Sequence, residues 1–286
     1  MLDIYFDIKK YSSPLLTIAV HNGHQTRDEI KPYLNLNEYE RLREEDPYTE
    51  FFTHINGNKI IVNNSRFEVD LNRPRNLAVY KTPENSWGLK VWKDSVPKKI
   101  WENSLYEYDN FYNFLKSIID EIINAWGFII VYDIHSYNHL REKAPASANE
   151  NPEVNVGTGS LNQKLWKPVT SYFINSMKES NYLGRKLDVR ENVKFEGGHL
   201  SFWIHKNYPG KSCVLAIELK KIFMDEKTGA ADIHAIRAFK DALSETVPGV
   251  VHEAHLVMQT KNRPLQLPDL RKRKKKAQAK SKNYKR

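Results

Sequence analysis

The 286-residue sequence holds a single cysteine, Cys213. No internal disulfide can form, and its setting in the apolar run SCVLAIE reads as a buried thiol rather than a nucleophile. No apolar run approaches the roughly 18 residues that a membrane span needs. The opening residues, MLDIYFDIKK, carry charges where a signal peptide places its apolar region, so a cytoplasmic location is the expectation. Glycine and proline are sparse and scattered, at twelve and thirteen, and this excludes collagen-like and low-complexity classes. A hydrophobic content of 40% excludes a wholly disordered chain.

Charge is plentiful but unevenly placed. The formal +9 comes from residues 271–286, RKRKKKAQAKSKNYKR, which hold ten Lys or Arg and no acid. The other 270 residues carry 34 basic and 35 acidic groups, a formal −1. The tail repels itself and has no apolar face, so it is expected to be disordered and capable of weak polyanion contact. Together with six Trp and fifteen Tyr it sustains one reading of another class, a nucleic-acid-associated protein, which the near-neutral body argues against.

Patterning points to an α/β fold with a mostly parallel or mixed sheet. Alternation at Ile4, Phe6 and Ile8 predicts an opening strand, and LLTIAV (15–20), KIIVNN (59–64) and RFEVDL (66–71) predict further strands. Asp46-Pro47 predicts a helix start, with an acidic cap and Pro at the first position. Helical spacing predicts a long helix over 98–126 ended by Gly127, and shorter helices over 161–178 and 230–246. FIIVYDI (128–134) and SCVLAIEL (212–219) predict buried strands. No Pro/Gly/Ser-rich linker divides the body, so residues 1–270 are expected to form one domain.

Three apolar strands end in a polar group that packing alone does not require: His21, His135 and Glu218. Ligands of open α/β sheets bind beyond the C-terminal strand ends, where groups distant in sequence converge. Two imidazoles and a carboxylate suit a catalytic zinc site with a water in the fourth position. Glu45 and Asp46 are both candidates for the acidic ligand, although Asp46 would serve equally as a helix cap and Glu45 as a surface acid. Arg66, Asn72 and Arg73 form a basic group in which Asp70 can hold one guanidinium. Such a fork matches a substrate carboxylate, and a plain Asp70–Arg ion pair is the competing reading. NVGTG (155–159) has neither GK[ST] nor a GxGxxG register, so tight turns explain it as well as a phosphate loop does.

In order and spacing, HNGH (21–24), REEDPYTE (43–50), SRFEVDLNR (65–73), DIHS (133–136), NVGTGSLN (155–162), FEGG (195–198) and AIELKKIFMDEKTG (216–229) resemble the N-formylglutamate amidohydrolase family. The resemblance runs from about residue 15 to 246. It implies a zinc-dependent hydrolase with the phosphorylase/hydrolase-like fold of zinc carboxypeptidases: a single-domain, three-layer mixed sheet with helices on both faces. By the same resemblance His21, His135 and an acid of REED hold zinc. Asn72 and Arg73 grip a substrate carboxylate, Arg66 polarises the scissile carbonyl, and Glu218 is the catalytic carboxylate. The expected reaction is hydrolysis of an N-acyl amino acid, N-formyl-L-glutamate to formate and L-glutamate in the first instance. A carboxypeptidase-like hydrolase of another N-acyl amino acid or peptide is the alternative. The chain departs from the family at Val20, where Pro is common, and His24 stands close enough to compete as a ligand. The resemblance accounts for neither the Trp-rich segment at about 84–104 nor the basic tail.

Overall fold

The computed structural model describes residues 4–5, 13–140 and 148–262. The expected basic tail lies outside the described residues. Seven strands form one sheet: β1 (Ile4–Tyr5), β2 (Leu15–Ala19), β3 (Asn58–Val62), β4 (Ile129–Tyr137), β5 (Val154–Gly157), β6 (Val189–Glu191) and β7 (Ser212–Lys220). Their order is β1-β3-β2-β4-β7-β5-β6. The central strands β3, β2, β4 and β7 run parallel, whereas β1 and β5 pair antiparallel to β3 and β7. The fold is thus α/β with a mixed sheet.

Burial on both faces explains why β4 reads as an unbroken apolar run. Ile129 and Val131 pack with α3 (Lys98–Trp126), while Ile130, Tyr132 and Ile134 pack with α4 (Gln163–Glu179) and α6 (Ile233–Asn262) on the other face. Asp133 and His135 continue the first face, and Glu218 of β7 pairs in register with His135, so the polar groups share one face at the strand ends. Helix α3 ends as expected, at Gly127 in the left-handed conformation with φ 80°. Two shorter helices, α1 (Glu38–Glu44) and α2 (Thr49–Phe52), precede β3, and α5 (His199–Asn207) precedes β7.

Three expectations are corrected here. RFEVDL is not a strand but a series of turns, because Glu68 and Asp70 are buried and hydrogen-bonded rather than facing solvent. Asp46 does not cap a helix. Helix α2 starts at Thr49 after Tyr48, whose φ of 69° turns the chain and leaves the Asp46 carboxylate free to face the sheet. Helix α6 does not stop at 246 but continues through Pro248-Gly249 to Asn262. A Cβ at Gly249 would lie 1.9 Å from the Tyr172 ring, so glycine permits close packing on α4 there.

Candidate metal centre and active site

His21 follows β2, His135 lies near the end of β4, and Asp46 enters from the turn between α1 and α2. One ligand atom from each lies within 4.8 Å of the others, and all three side chains are buried. The Asp46 backbone N–H donates to the His21 carbonyl at 2.9 Å, which ties the turn to the end of β2. The two imidazoles are held in the same way. His21 Nε2 donates to Asp70 Oδ1 at 2.7 Å, and His135 Nε2 donates to Asp133 Oδ1 at 2.9 Å. Each ring therefore turns Nδ1 toward Asp46 Oδ2, at 3.4 Å from His21 and 3.1 Å from His135.

This arrangement fits a divalent cation. The Nδ1 of His21 is a buried polar atom without a hydrogen-bond partner, which is costly unless something else occupies its lone pair. A carboxylate behind each imidazole fixes the tautomer and raises ligand basicity, as metal-binding histidines require. The electrostatics agree. Burial opposes ionisation of Asp46, yet His135 and His21, whose rings face it, keep its carboxyl well below the usual range. Burial also opposes a charge on His135, but Asp133 and Asp46 outweigh it and raise the imidazole well above its usual value. The pocket favours positive charge.

Of the two acids that the sequence left open, Glu45 lies apart from the three side chains. It is buried, Ser65 Oγ donates to it, and His24 Nδ1 lies at 2.5 Å. This pairing also removes His24 from competition for the centre. Glu45 is thus tethered immediately before Asp46, and Lys221 reinforces the tether. The buried Lys221 ammonium donates to the carbonyls of Arg43 and Glu45 at 2.7 Å each. Burial lowers its pKa to about 8.

The centre opens into a cleft of about 750 Å³ lined by Arg66, Asn72, Arg73, Trp87, His199 and Glu218 among others. Glu218 is half-buried, and burial pushes its carboxyl up to about 7, a value suited to moving a proton near neutrality. Arg66 is fixed on three sides, donating to Tyr80 Oη at 3.2 Å, the Glu44 carbonyl at 3.2 Å and Asp70 Oδ2 at 2.9 Å. Asn72 turns inward. Its Oδ1 accepts from the Leu200 backbone at 2.9 Å at the start of α5, and its Nδ2 lies 3.2 Å from His135 Nε2. A Cβ at Gly198 would lie 2.3 Å from the Asn72 amide, which is why the GG pair stands there. Arg73 is the looser guanidinium, bound to the Asn85 carbonyl at 3.3 Å and 3.9 Å from Asp70. The NVGTG glycines are packing devices as well, since a Cβ at Gly157 would lie 2.5 Å from the Gly197 nitrogen.

Sequence reasoning passed over Asp133 and Lys221. Asp133 had a usable signal, because an acid two residues before a strand-end histidine shares its face.

A family model described as N-formylglutamate amidohydrolase matches residues 13–223. No curated protein matches the chain by sequence. Among solved structures, an N-formylglutamate amidohydrolase from Ralstonia eutropha JMP134 is similar, with TM-score 0.68 and 13% identity over 91% of this chain and 100% of that one. A gene product of Agrobacterium tumefaciens is similar with TM-score 0.62 and 14% identity, over 86% of this chain and 94% of that one.

Proposed function

Because this chain belongs to the N-formylglutamate amidohydrolase family, we propose that it is a zinc-dependent hydrolase of N-acyl amino acids, with N-formyl-L-glutamate the first substrate to test. The observation that carries the metal dependence is the orphaned Nδ1 of His21, which faces Asp46 and His135 with a carboxylate behind each ring. His21, Asp46 and His135 would hold the ion, which would supply an acidified water and polarise the amide carbonyl.

This chain's own residues then do the following. Glu218 accepts the proton of the attacking water on a carboxylate oxygen. Arg66 donates to the carbonyl oxygen as negative charge develops there, from a guanidinium already fixed by its partners. Arg73 holds the substrate carboxylate, so that attack is effectively intramolecular, and Asn72 sets the start of α5 beside it. Protonated Glu218 finally gives its proton to the departing amine. We place this activity in residues 1–270 of a cytoplasmic protein, and read 271–286 as a dispensable tail that contacts polyanions weakly. No described helix is long and apolar enough to cross a membrane.

The test is hydrolysis of a panel of N-acyl amino acids by purified, zinc-loaded protein. N-formyl-L-glutamate turnover that is lost in His21→Ala and His135→Ala is the expected result. A folded, metal-loaded protein inactive on the whole panel would refute the reading.

A further inference from the structure

The segment that the family resemblance leaves unexplained places one side chain on the catalytic cleft. Trp87 sits in a turn in which Gly88 N donates to the Pro83 carbonyl at 2.8 Å and Leu89 N to the Ser86 carbonyl at 2.9 Å. The buried Ser86 hydroxyl closes the same turn by donating to the Leu89 carbonyl at 2.8 Å. Within it Trp87 has φ 56°, a left-handed conformation that bulky residues seldom adopt. Such a conformation persists only where the surroundings enforce it, and it tends to mark functional positions.

The turn lays the indole over Arg66. The guanidinium carbon lies 4.9 Å from the ring centroid, and the indole meets the Tyr80 ring edge-on at 6.0 Å. Tyr80 in turn accepts from Arg66 Nε and donates to Asp70. A guanidinium has five N–H donors in one plane. Three of those in Arg66 are spent on Tyr80, Glu44 and Asp70, and the indole covers one face. The remaining donors are confined to the plane. Trp87 itself is 46% exposed and lines the cleft, so burying the indole in a core is not its principal use.

We propose that Trp87 is a positioning residue for Arg66: its indole shields one face of the guanidinium and directs the free donors to the reacting carbonyl. The proposal rests on the functional reading above. A cation held on an aromatic face is both oriented and partly dehydrated, which strengthens its pull on developing negative charge.

The test compares Trp87→Gly, Trp87→Ala and Trp87→Phe in the zinc-loaded full chain. Glycine relieves the left-handed backbone, so Trp87→Gly is expected to melt higher than Trp87→Ala. Its kcat on N-formyl-L-glutamate is expected to fall by about three- to thirtyfold with little change in KM, the size of a partly desolvated cation–π contact. Trp87→Phe should restore kcat to within about threefold, and Trp87→Gly should have little further effect in an Arg66→Lys background. A rise in KM at unchanged kcat would overturn the proposal by making Trp87 a substrate-contact surface. A second readout needs no substrate: modification of Arg66 by phenylglyoxal, followed by peptide mass spectrometry, should be faster in Trp87→Gly and not in Trp87→Phe. Equal reactivity in all variants would overturn the Trp87–Arg66 arrangement, whereas inactivity of the wild type on every N-acyl amino acid would overturn the functional reading instead.

Discussion

Two arrangements of histidine in this molecule look alike in outline and differ in what they leave unused. His205 of α5 accepts from the Val214 backbone N–H through Nε2 at 3.0 Å, so its Nδ1 carries the proton and donates to Ser160 Oγ at 2.8 Å. Burial lowers its pKa to about 4, which keeps it neutral. Both nitrogens are consumed by the protein, and the ring can neither bind a metal nor take a proton from Ser160. His21 and His135 also spend one nitrogen, but on a carboxylate, and turn the other toward Asp46. A histidine satisfied on both sides by neutral partners holds the fold, whereas one braced by a carboxylate behind and facing another in front is equipped for a cation.

The largest expected effect sharpens this contrast at the neighbouring carboxylate. Glu218→Gln keeps the shape, and should retain zinc while cutting kcat by about two to four powers of ten, the usual contribution of a positioned acid/base. Loss of metal along with activity would make Glu218 a ligand. Proton acceptance needs the carboxylate form, and burial pushes the Glu218 carboxyl up to about 7. The kcat/KM of the wild type should therefore fall on the acid side, with its limb at or below that value because a bound cation favours the carboxylate.

A smaller effect breaks the bracing alone. Asp133→Asn keeps the size of the side chain behind His135 but loses the charge that favours its Nε2–H tautomer. Metal affinity should weaken by about 10- to 100-fold, the usual cost of removing such a partner. Unchanged affinity by isothermal titration calorimetry would show that the carboxylate serves only to satisfy the ring.

A third effect, on stability and not on metal or turnover, belongs to the satisfied histidine. The folded pKa of His205 lies below the free value of about 6.5, so between these values the unfolded chain binds more protons and stability falls as pH drops. The loss attributable to this group is of order 2 to 3 kcal/mol by pH 4. Urea unfolding of His205→Gln should show a shallower acid decline than wild type at unchanged metal content. An identical decline would remove His205 as its source.

The strand ends were the most legible part of this site, because a buried strand has little reason to end in His or Glu, and His21, His135 and Glu218 all stand there. The choice between Glu45 and Asp46 was not legible. Both precede the same helix, and it is the left-handed Tyr48, the bond from Asp46 N–H to the His21 carbonyl and the pairing of Glu45 with His24 that separate them. RFEVDL alternates like a strand, yet its acids answer to Arg27 and Arg66, partners that no local pattern discloses. Asn72 reads as a substrate donor beside Arg73, and no local pattern discloses that its amide oxygen also accepts from Leu200, 128 residues away.

The central claim, that His21, Asp46 and His135 form a metal centre from which Glu45 is excluded, is tested most directly by metal content. Inductively coupled plasma mass spectrometry on folded, zinc-equilibrated wild type, Asp46→Asn and Glu45→Gln separates the two acids without any assay of activity. One zinc per chain in wild type and Glu45→Gln, with loss in Asp46→Asn, is the predicted result. Wild-type protein without stoichiometric metal, or equal loss in both variants, would contradict it.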